Sequence, residues 1–261
     1  MSKIEWTNKA WNPLAGCSRV SPGCVHCYAE TMAKRLKAMG VKEYQEVVNK
    51  TGWTRKIRLI PAKLNEPLHW RKPQMIFVNS MSDLFHKDVP FIFISSVWQT
   101  MYTASQHTYQ ILTKRPERAL EWFNWAYMGK EEHKNIWLGV SIENQEQKKR
   151  IEVLQRINII RFISFEPLLE DIGEINLNGI SWVIIGGESG PGARPFNIDW
   201  ARNIIRQCKE QKVPIFMKQV GSNPIGWDAN KLEYKRAHLK SRKGSDMKEW
   251  PVDLRIREYQ R

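Results

Sequence analysis

The sequence predicts an α/β protein: a partial (β/α) TIM-like barrel of about six to seven parallel strands, followed by a basic C-terminal extension. Three observations predict it. Short, near-continuous apolar segments recur along the chain, as strands covered on both faces require. Segments of helical periodicity separate them, which is the alternation of right-handed βα units. Polar residues gather just after the apolar segments, at the end of a barrel where loops converge on a ligand.

Taken in order, a first strand is expected before Cys17, and then a helix over 27–39 with Met32, Leu36 and Met39 spaced to face one core. Residues 40–72 contain no clear strand and read as an insertion of helix and loop. Strands follow at 75–80 (MIFVNS), 108–113 (TYQILT), 136–141 (IWLGVS), 160–165 (IRFISF), 182–186 (WVIIG) and 214–218 (PIFMK). Helices are expected over 91–105, 116–127, 145–157 and 199–211. The last has Asp199 as its N-cap and Ile204, Ile205 and Cys208 at helical spacing. Beyond 222 the pattern is lost, and polar, basic residues surround Trp227, Trp250 and Pro251 as isolated anchors. The domain reading is therefore a barrel over 1–221 and an extension over 222–261.

Composition bounds the function. Apolar residues make up 42% and charged residues 26%, which excludes a disordered or fibrous chain. The N-terminal MSKIEWTNKAWNP lacks the apolar run of a signal peptide, and PFIFISSVW at 90–98 is too short for a bilayer, so a cytoplasmic protein without membrane contact is expected. In a reducing compartment a tight cysteine group reads as metal-binding or catalytic. The net charge of +14 favours a polyanionic partner, DNA or a nucleotide, over the solubilising surface that explains the same charge. Basic residues recur at 34–37, 55–58, 148–150 and 235–243, with Trp and Tyr near several of these runs, which suits base stacking and packing alike.

The sharpest feature is WNPLAGCSRVSPGCVHCYAE at 11–30, where Cys17, Cys24 and Cys27 are separated by six and two residues. The last two open a helix, whose N–H groups and dipole stabilise thiolates. Three readings compete: incidental buried thiols, structural zinc with His26 or another residue as fourth ligand, and a 4Fe–4S cluster with one iron left open. Zinc sites usually take four protein ligands, and no second cysteine pair is present. Cys208 is remote and lies on a core face, so packing accounts for it. An open iron lets a cluster chelate a small molecule.

Polar residues close each apolar segment: Asn79, Ser80, Ser82 and Asp83; Thr113, Lys114 and Arg115; Ser141, Glu143 and Asn144; Glu166; Gly186, Gly187, Glu188 and Ser189; Lys218 and Gln219. A turn Asn or a helix-starting acid explains any one of them, but the recurrence at five or six strand ends points to a site.

With these blocks in place the chain resembles the radical S-adenosylmethionine superfamily, and within it a phage-associated three-cysteine branch also found in bacterial genomes. The resemblance rests on WNPLAGC (11–17), GCVHCYAE (23–30), NSMSDLFH (79–86), LTKRPER (112–118), GVSIENQ (139–145), RFISFEPL (161–168), WVIIGGESGPGARP (182–195) and PIFMKQVG (214–221). The superfamily's usual first gap is three residues, so the six between Cys17 and Cys24 mark a variant loop. The resemblance implies a 4Fe–4S cluster on Cys17, Cys24 and Cys27, whose unique iron binds S-adenosylmethionine. It also implies a 5′-deoxyadenosyl radical that abstracts hydrogen, and an electron donor such as flavodoxin or ferredoxin. Ser82 or Asp83 is then a candidate for the methionine ammonium and Lys114 for its carboxylate. Ser141 and Glu143 are candidates for the ribose, Gly186, Gly187 and Glu188 for the adenosine, and Glu166 and Lys218 for the substrate. For this branch the implied reaction is DNA-base modification, an isomerisation of an amino-acid-derived substituent on thymine, in the host cytoplasm if the chain is phage-encoded. Two other classes compete: a barrel hydrolase using Glu143, Glu166 and Glu188, and a zinc-stabilised nucleic-acid-binding protein without catalysis.

Overall fold

A computed structural model describes residues 4–126, 134–228, 233–236 and 239–259. Seven strands form the main parallel sheet: β1 (Lys9–Trp11), β2 (Met75–Val78), β3 (Thr108–Thr113), β4 (Ile136–Ser141), β5 (Ile160–Phe165), β6 (Trp182–Gly186) and β7 (Ile215–Gln219). Their order in the sheet is their order in the chain, the connectivity of a partial (β/α) barrel. The strands form where the sequence is apolar without a break, and β4 is buried at every position. The expected α/β class therefore holds, with strand ends within two residues of those read from the sequence.

The chain divides into two compact units, Met1–Val140 with Arg156–Ile160, and Ser141–Gln155 with Arg161–Arg261. In the first, α1 (Tyr28–Ala38), α2 (Phe91–Thr103) and α3 (Pro116–Trp125) accompany β1 to β4. Trp98 and Trp122 pack with ring centroids 4.7 Å apart, and Phe85 lies 6.3 Å from Trp122. This aromatic layer seats the loop after β2 against α3. In the second unit α4 (Arg150–Gln155) and α5 (Ile198–Glu210) accompany β5 to β7. Ile204, Ile205 and Cys208 are buried on α5, as the periodicity predicts.

Several expectations are corrected. The N-cap of α5 is Asn197, whose Oδ1 accepts from the Asp199 N–H at 2.9 Å; Asp199 falls in the first turn, where its charge still suits the helix dipole. On α1 the buried face is Ala29, Glu30 and Ala33, with Met32 and Leu36 only partly covered. Met39 follows the last helical residue and is 76% exposed. The expected helix at 145–157 is a 3-10 turn, Gln145–Lys149, capped by Asn144, and only then the short α4. Residues 40–72 do hold a strand: Arg58–Leu59 pairs antiparallel with Leu14–Ala15, amid 3-10 turns. A pair of two-residue strands is set by backbone hydrogen bonds between segments distant in sequence, which leaves no side-chain period to read.

The region after 222 is also more regular than its sequence suggests. Pro224–Asp228 runs parallel to Phe196–Asn197 and antiparallel to Glu233–Arg236. Position 127 of the expected 116–127 helix and the Trp227 side chain lie outside the described residues. Trp250, by contrast, is an anchor as expected: it is 2% exposed and its Nε1–H donates to the Gly244 carbonyl at 2.9 Å. The segment behind it docks on β7, where the Glu258 carboxylate accepts from the Ile215 N–H at 3.1 Å and Arg257 lies over the Phe216 ring. Among the described residues no helix is long and apolar enough to cross a membrane.

Because Trp250 fills its site almost completely, Trp250→Ala should destabilise the chain by about 3–5 kcal/mol. Urea unfolding measures this. A change below about 1 kcal/mol, on that scale for a large core deletion, would mean that the tail is not part of the packed core.

Candidate functional site

In the first unit the loop after β1 carries Cys17, Cys24 and Cys27, and the fold shapes it at both ends. Gly16 has φ +97, a left-handed conformation that favours glycine, and a Cβ there would overlap the Lys56 carbonyl. Cys27 is the N-cap of α1 and makes no side-chain cap hydrogen bond, but the backbone of Ala29 and Glu30 in the first turn favours its thiolate. Ser21 Oγ lies 3.8 Å from the Cys24 sulfur, and the backbone of Val20 and Ser21 favours that thiolate.

Between Cys17 and Cys24 the long gap is braced by Arg19, whose guanidinium grips Glu30 of α1 at 2.7 and 3.2 Å. Glu30 is 8% exposed at its side chain, and Arg19 is far more open. The same carboxylate accepts the Trp53 N–H at 3.3 Å and lies 3.5 Å from Lys34. A Cβ on Gly52 would run into it. Thus the six-residue gap is tied both to α1 and to the insertion.

The loop's other end is held by Arg115. Its Nη1 donates to Asp83 Oδ2 at 2.6 Å, and its Nη2 donates to the Ser18 carbonyl and hydroxyl at 2.9 and 3.0 Å. Cys17 Sγ lies 3.9 Å from Nη1. Asp83 accepts three further donors: the Phe85 N–H at 3.0 Å, the Thr113 hydroxyl at 2.7 Å and the Lys114 N–H at 3.2 Å. Arg115 sits between β3 and Pro116, and a residue before proline is kept out of the helical region, which turns it off the axis of α3. His86 is fully buried, its Nε2 2.8 Å from Ser18 Oγ and its Nδ1 accepting from the Asp88 N–H at 3.3 Å. Burial, reinforced by Arg115, holds its pKa below the usual value. A neutral ring with the proton on Nε2 satisfies both contacts, so the 3.6 Å approach of Nδ1 to the Asp88 carboxylate is no ion pair.

The three thiols influence one another electrostatically. Burial pushes Cys17 up to about 12, with Asp83 and the other two thiols adding to it and Arg115 opposing. Burial also raises Cys27, against the N–H groups of α1 and Lys114. For Cys24 burial is outweighed by Lys114 and the surrounding N–H donors, and the thiol is lowered. Among the described residues no three His, Cys, Asp or Glu side chains converge as ligands of one metal ion. Three sulfurs on one loop, with N–H donors and two cations beside them, fit an anionic 4Fe–4S cluster in which each sulfur takes a different iron.

Ser82, a candidate for the ammonium, also fastens the loop: its hydroxyl donates to the Leu14 carbonyl at 3.2 Å. Asn79, named only as a strand-end residue, stands out in the structure. It is 2% exposed, has φ +59, and neither its Nδ2 nor its Oδ1 has a hydrogen-bond partner among the described residues.

In the second unit every predicted carboxylate holds a cation. Glu143 is fully buried and takes Arg150 at 3.0 Å, and the same Nη1 donates to the Ser141 carbonyl at 2.7 Å. Glu188 takes Arg194 through its Nε at 3.0 Å and its Nη2 at 2.5 Å, which closes the glycine-rich turn. Glu166 pairs with Lys218 at 2.9 Å and accepts from Ser164 Oγ at 3.1 Å. Gly186 lies so close to the Glu166 carboxylate that a Cβ would overlap it, and one on Gly187 would lie 2.6 Å from the Val220 carbonyl. The predicted residues thus come together as Ser82, Asp83, Lys114 and the three cysteines in one unit, and as the pairs Ser141–Glu143 and Glu166–Lys218 and the turn 186–188 in the other. Arg19, Glu30, His86, Arg150 and Arg194 were given no role by the sequence, and Arg115 was named only by position. For Arg150 and Arg194 the signal was an Arg six or seven residues after a strand-end acid; the others carried none.

The model of the family described as "Protein of unknown function (DUF5131)" matches residues 1–251, and the chain belongs to that family. No curated protein matches it. Among solved structures, spore photoproduct lyase complexed with dinucleoside spore photoproduct is similar at 12% identity, over 87% of this chain and 67% of that one, with a TM-score of 0.35. A likeness that slight carries no argument about activity.

Breaking a buried ion pair leaves the surviving charge without a partner. Asp83→Ala should therefore cost about 3–5 kcal/mol, read by urea unfolding. A near-neutral result would show that Arg115 finds compensation elsewhere.

Proposed function

We propose that this DUF5131 chain is a radical S-adenosylmethionine enzyme of the phage-associated three-cysteine branch, holding a 4Fe–4S cluster on Cys17, Cys24 and Cys27. The observation that carries the reading is the thiol loop: Cys17, Cys24 and Cys27 on the loop after β1, with Cys27 opening α1, Ser21 Oγ 3.8 Å from Cys24 and the Arg115 guanidinium 3.9 Å from Cys17. When bound, the cluster and S-adenosylmethionine supply a 5′-deoxyadenosyl radical for hydrogen abstraction, with electrons from a flavodoxin or ferredoxin.

The chain's own residues do the rest. Arg115 and Lys114 balance thiolate charge, and Asp83 holds Arg115 toward Cys17. Asn79 offers a buried amide, donor and acceptor together, to a polar group of the bound cofactor. Asp83 acts on the cofactor through its hold on Arg115 rather than as an open anion, because both its oxygens already accept donors. Ser141, Glu143 and Glu188 shape the strand-end loops from which the nucleoside would be held, and Gly186 and Gly187 admit close backbone approach. Lys218 and Glu166 are the pair assigned to the substrate. That substrate is a modified pyrimidine in DNA, isomerised at an amino-acid-derived substituent on thymine; the charge of +14 and the family resemblance support it.

Protein reconstituted without oxygen should hold about four irons per chain. Cys17→Ala, Cys24→Ala and Cys27→Ala should each lose that iron, and Cys208→Ala, far from the loop in sequence, should keep it. Stoichiometric zinc with no iron uptake overturns the reading. Reduced protein should also convert S-adenosylmethionine to 5′-deoxyadenosine, detected by chromatography. Asn79→Ala should weaken S-adenosylmethionine binding while leaving iron content intact, and an unchanged affinity would remove Asn79 from the site.

A further inference from the structure

Behind the cysteine loop, within the first unit, the insertion forms an open pocket of about 370 Å³ lined by Arg55, Lys56, Arg58, Glu46 and Asp88 over Val47. Its backbone is firmly held. The Thr54 N–H donates to the Val47 carbonyl at 3.0 Å, and the Thr54 hydroxyl donates to the Glu46 carbonyl at 2.7 Å. Arg58 pairs with Ala15, and the Lys56 carbonyl is pressed against Gly16, next to Cys17. Val47 is buried and the three cations are exposed.

None of the three cationic side chains makes an ion pair or hydrogen bond among the described residues, although most of the other arginines in the structure do. Arg55 also has φ +68, a left-handed conformation that glycine adopts far more readily. The chain keeps a cation at a position whose backbone favours a residue without a side chain. Two carboxylates share the lining. That of Asp88 turns toward His86, and Glu46 has no ion pair among the described residues. Three cations against two carboxylates leave a single positive charge, which matches the single negative charge of a phosphodiester better than a phosphate dianion. The arginine forks suit phosphate oxygens.

We propose that this pocket is a phosphodiester-binding site for a DNA strand, anchoring the backbone of the substrate beside the cysteine loop. The inference deepens the reading above, from which it takes only the nucleic-acid substrate.

The test is binding of a fluorescent single-stranded oligonucleotide without terminal phosphate to the full chain across a salt series. Arg55→Gln, Lys56→Gln and Arg58→Gln are made singly and together. Each cation that contacts a phosphate should lower the log–log salt slope by about 0.7 when removed, and the triple variant should show the summed loss with weaker binding throughout. Arg55→Lys with Arg58→Lys should keep the slope. Arg55→Gly relieves the backbone, so its thermal midpoint should equal or exceed that of the parent while its DNA affinity falls.

An unchanged slope and affinity in the triple variant overturns the proposal. So does binding of inorganic phosphate or thymidine monophosphate at this pocket as tight as that of the oligonucleotide, which would make it a site for free phosphate. Iron content and cofactor cleavage of the unsubstituted chain report separately on the radical reading. A chain that takes up no iron, yet loses salt slope on these substitutions, would sink that reading and keep the pocket.

Discussion

The ion pair of Asp83 with Arg115 joins three segments that are far apart in the chain: the loop after β2, the end of β3 and the cysteine loop. Both partners are largely buried, so their desolvation is costly and is offset only because every oxygen of Asp83 is occupied. Arg115 is similarly committed, to Asp83, to both Ser18 oxygens and to the neighbourhood of Cys17. Such a pair adds little net stability compared with a well-packed apolar contact. Its value is positional, because a guanidinium with fixed acceptors can hold one geometry only. The neutral His86 behind Ser18 continues the chain of contacts without adding a competing charge.

A second constraint governs the variant gap between Cys17 and Cys24. Six intervening residues would leave the first cysteine loosely placed unless something shortened the loop's freedom. Arg19 does this by clasping Glu30, in the first turn of α1, and Glu30 in turn receives the Trp53 N–H from the insertion. The insertion is therefore part of the loop's support, and the Leu14–Ala15 and Arg58–Leu59 pairing secures it from the other side. Gly16 and Gly52 are placed where backbone or carboxylate crowds the space of a side chain.

In the second unit the strand-end acids have a different character from the one their positions suggest. Glu143, Glu166 and Glu188 each hold a cation, and two of these cations are arginines six or seven residues further on. Such pairs fix the turns that follow β4 and β6. They give the polar rim a structural explanation alongside any ligand role.

What the sequence determined by itself was whatever depends on local pattern. Five strands match to the residue or within two at one end because burial on both faces writes itself as an unbroken apolar run, as in Ile136–Ser141. The cysteine loop was legible because its three thiols, Cys17, Cys24 and Cys27, stand close together in the sequence itself. The tertiary structure decided everything that depends on a partner. Asp83 and Arg115 are thirty-two positions apart, and nothing near either one announces the other. Arg58–Leu59 and Pro224–Asp228 became strands because a neighbouring backbone edge was available, not because of their side chains. Met39 lost its core place because α1 ends one residue earlier. Periodicity records how much of a side chain is buried, while ion pairs and short edge strands record against what, and that second quantity exists only once the chain has folded.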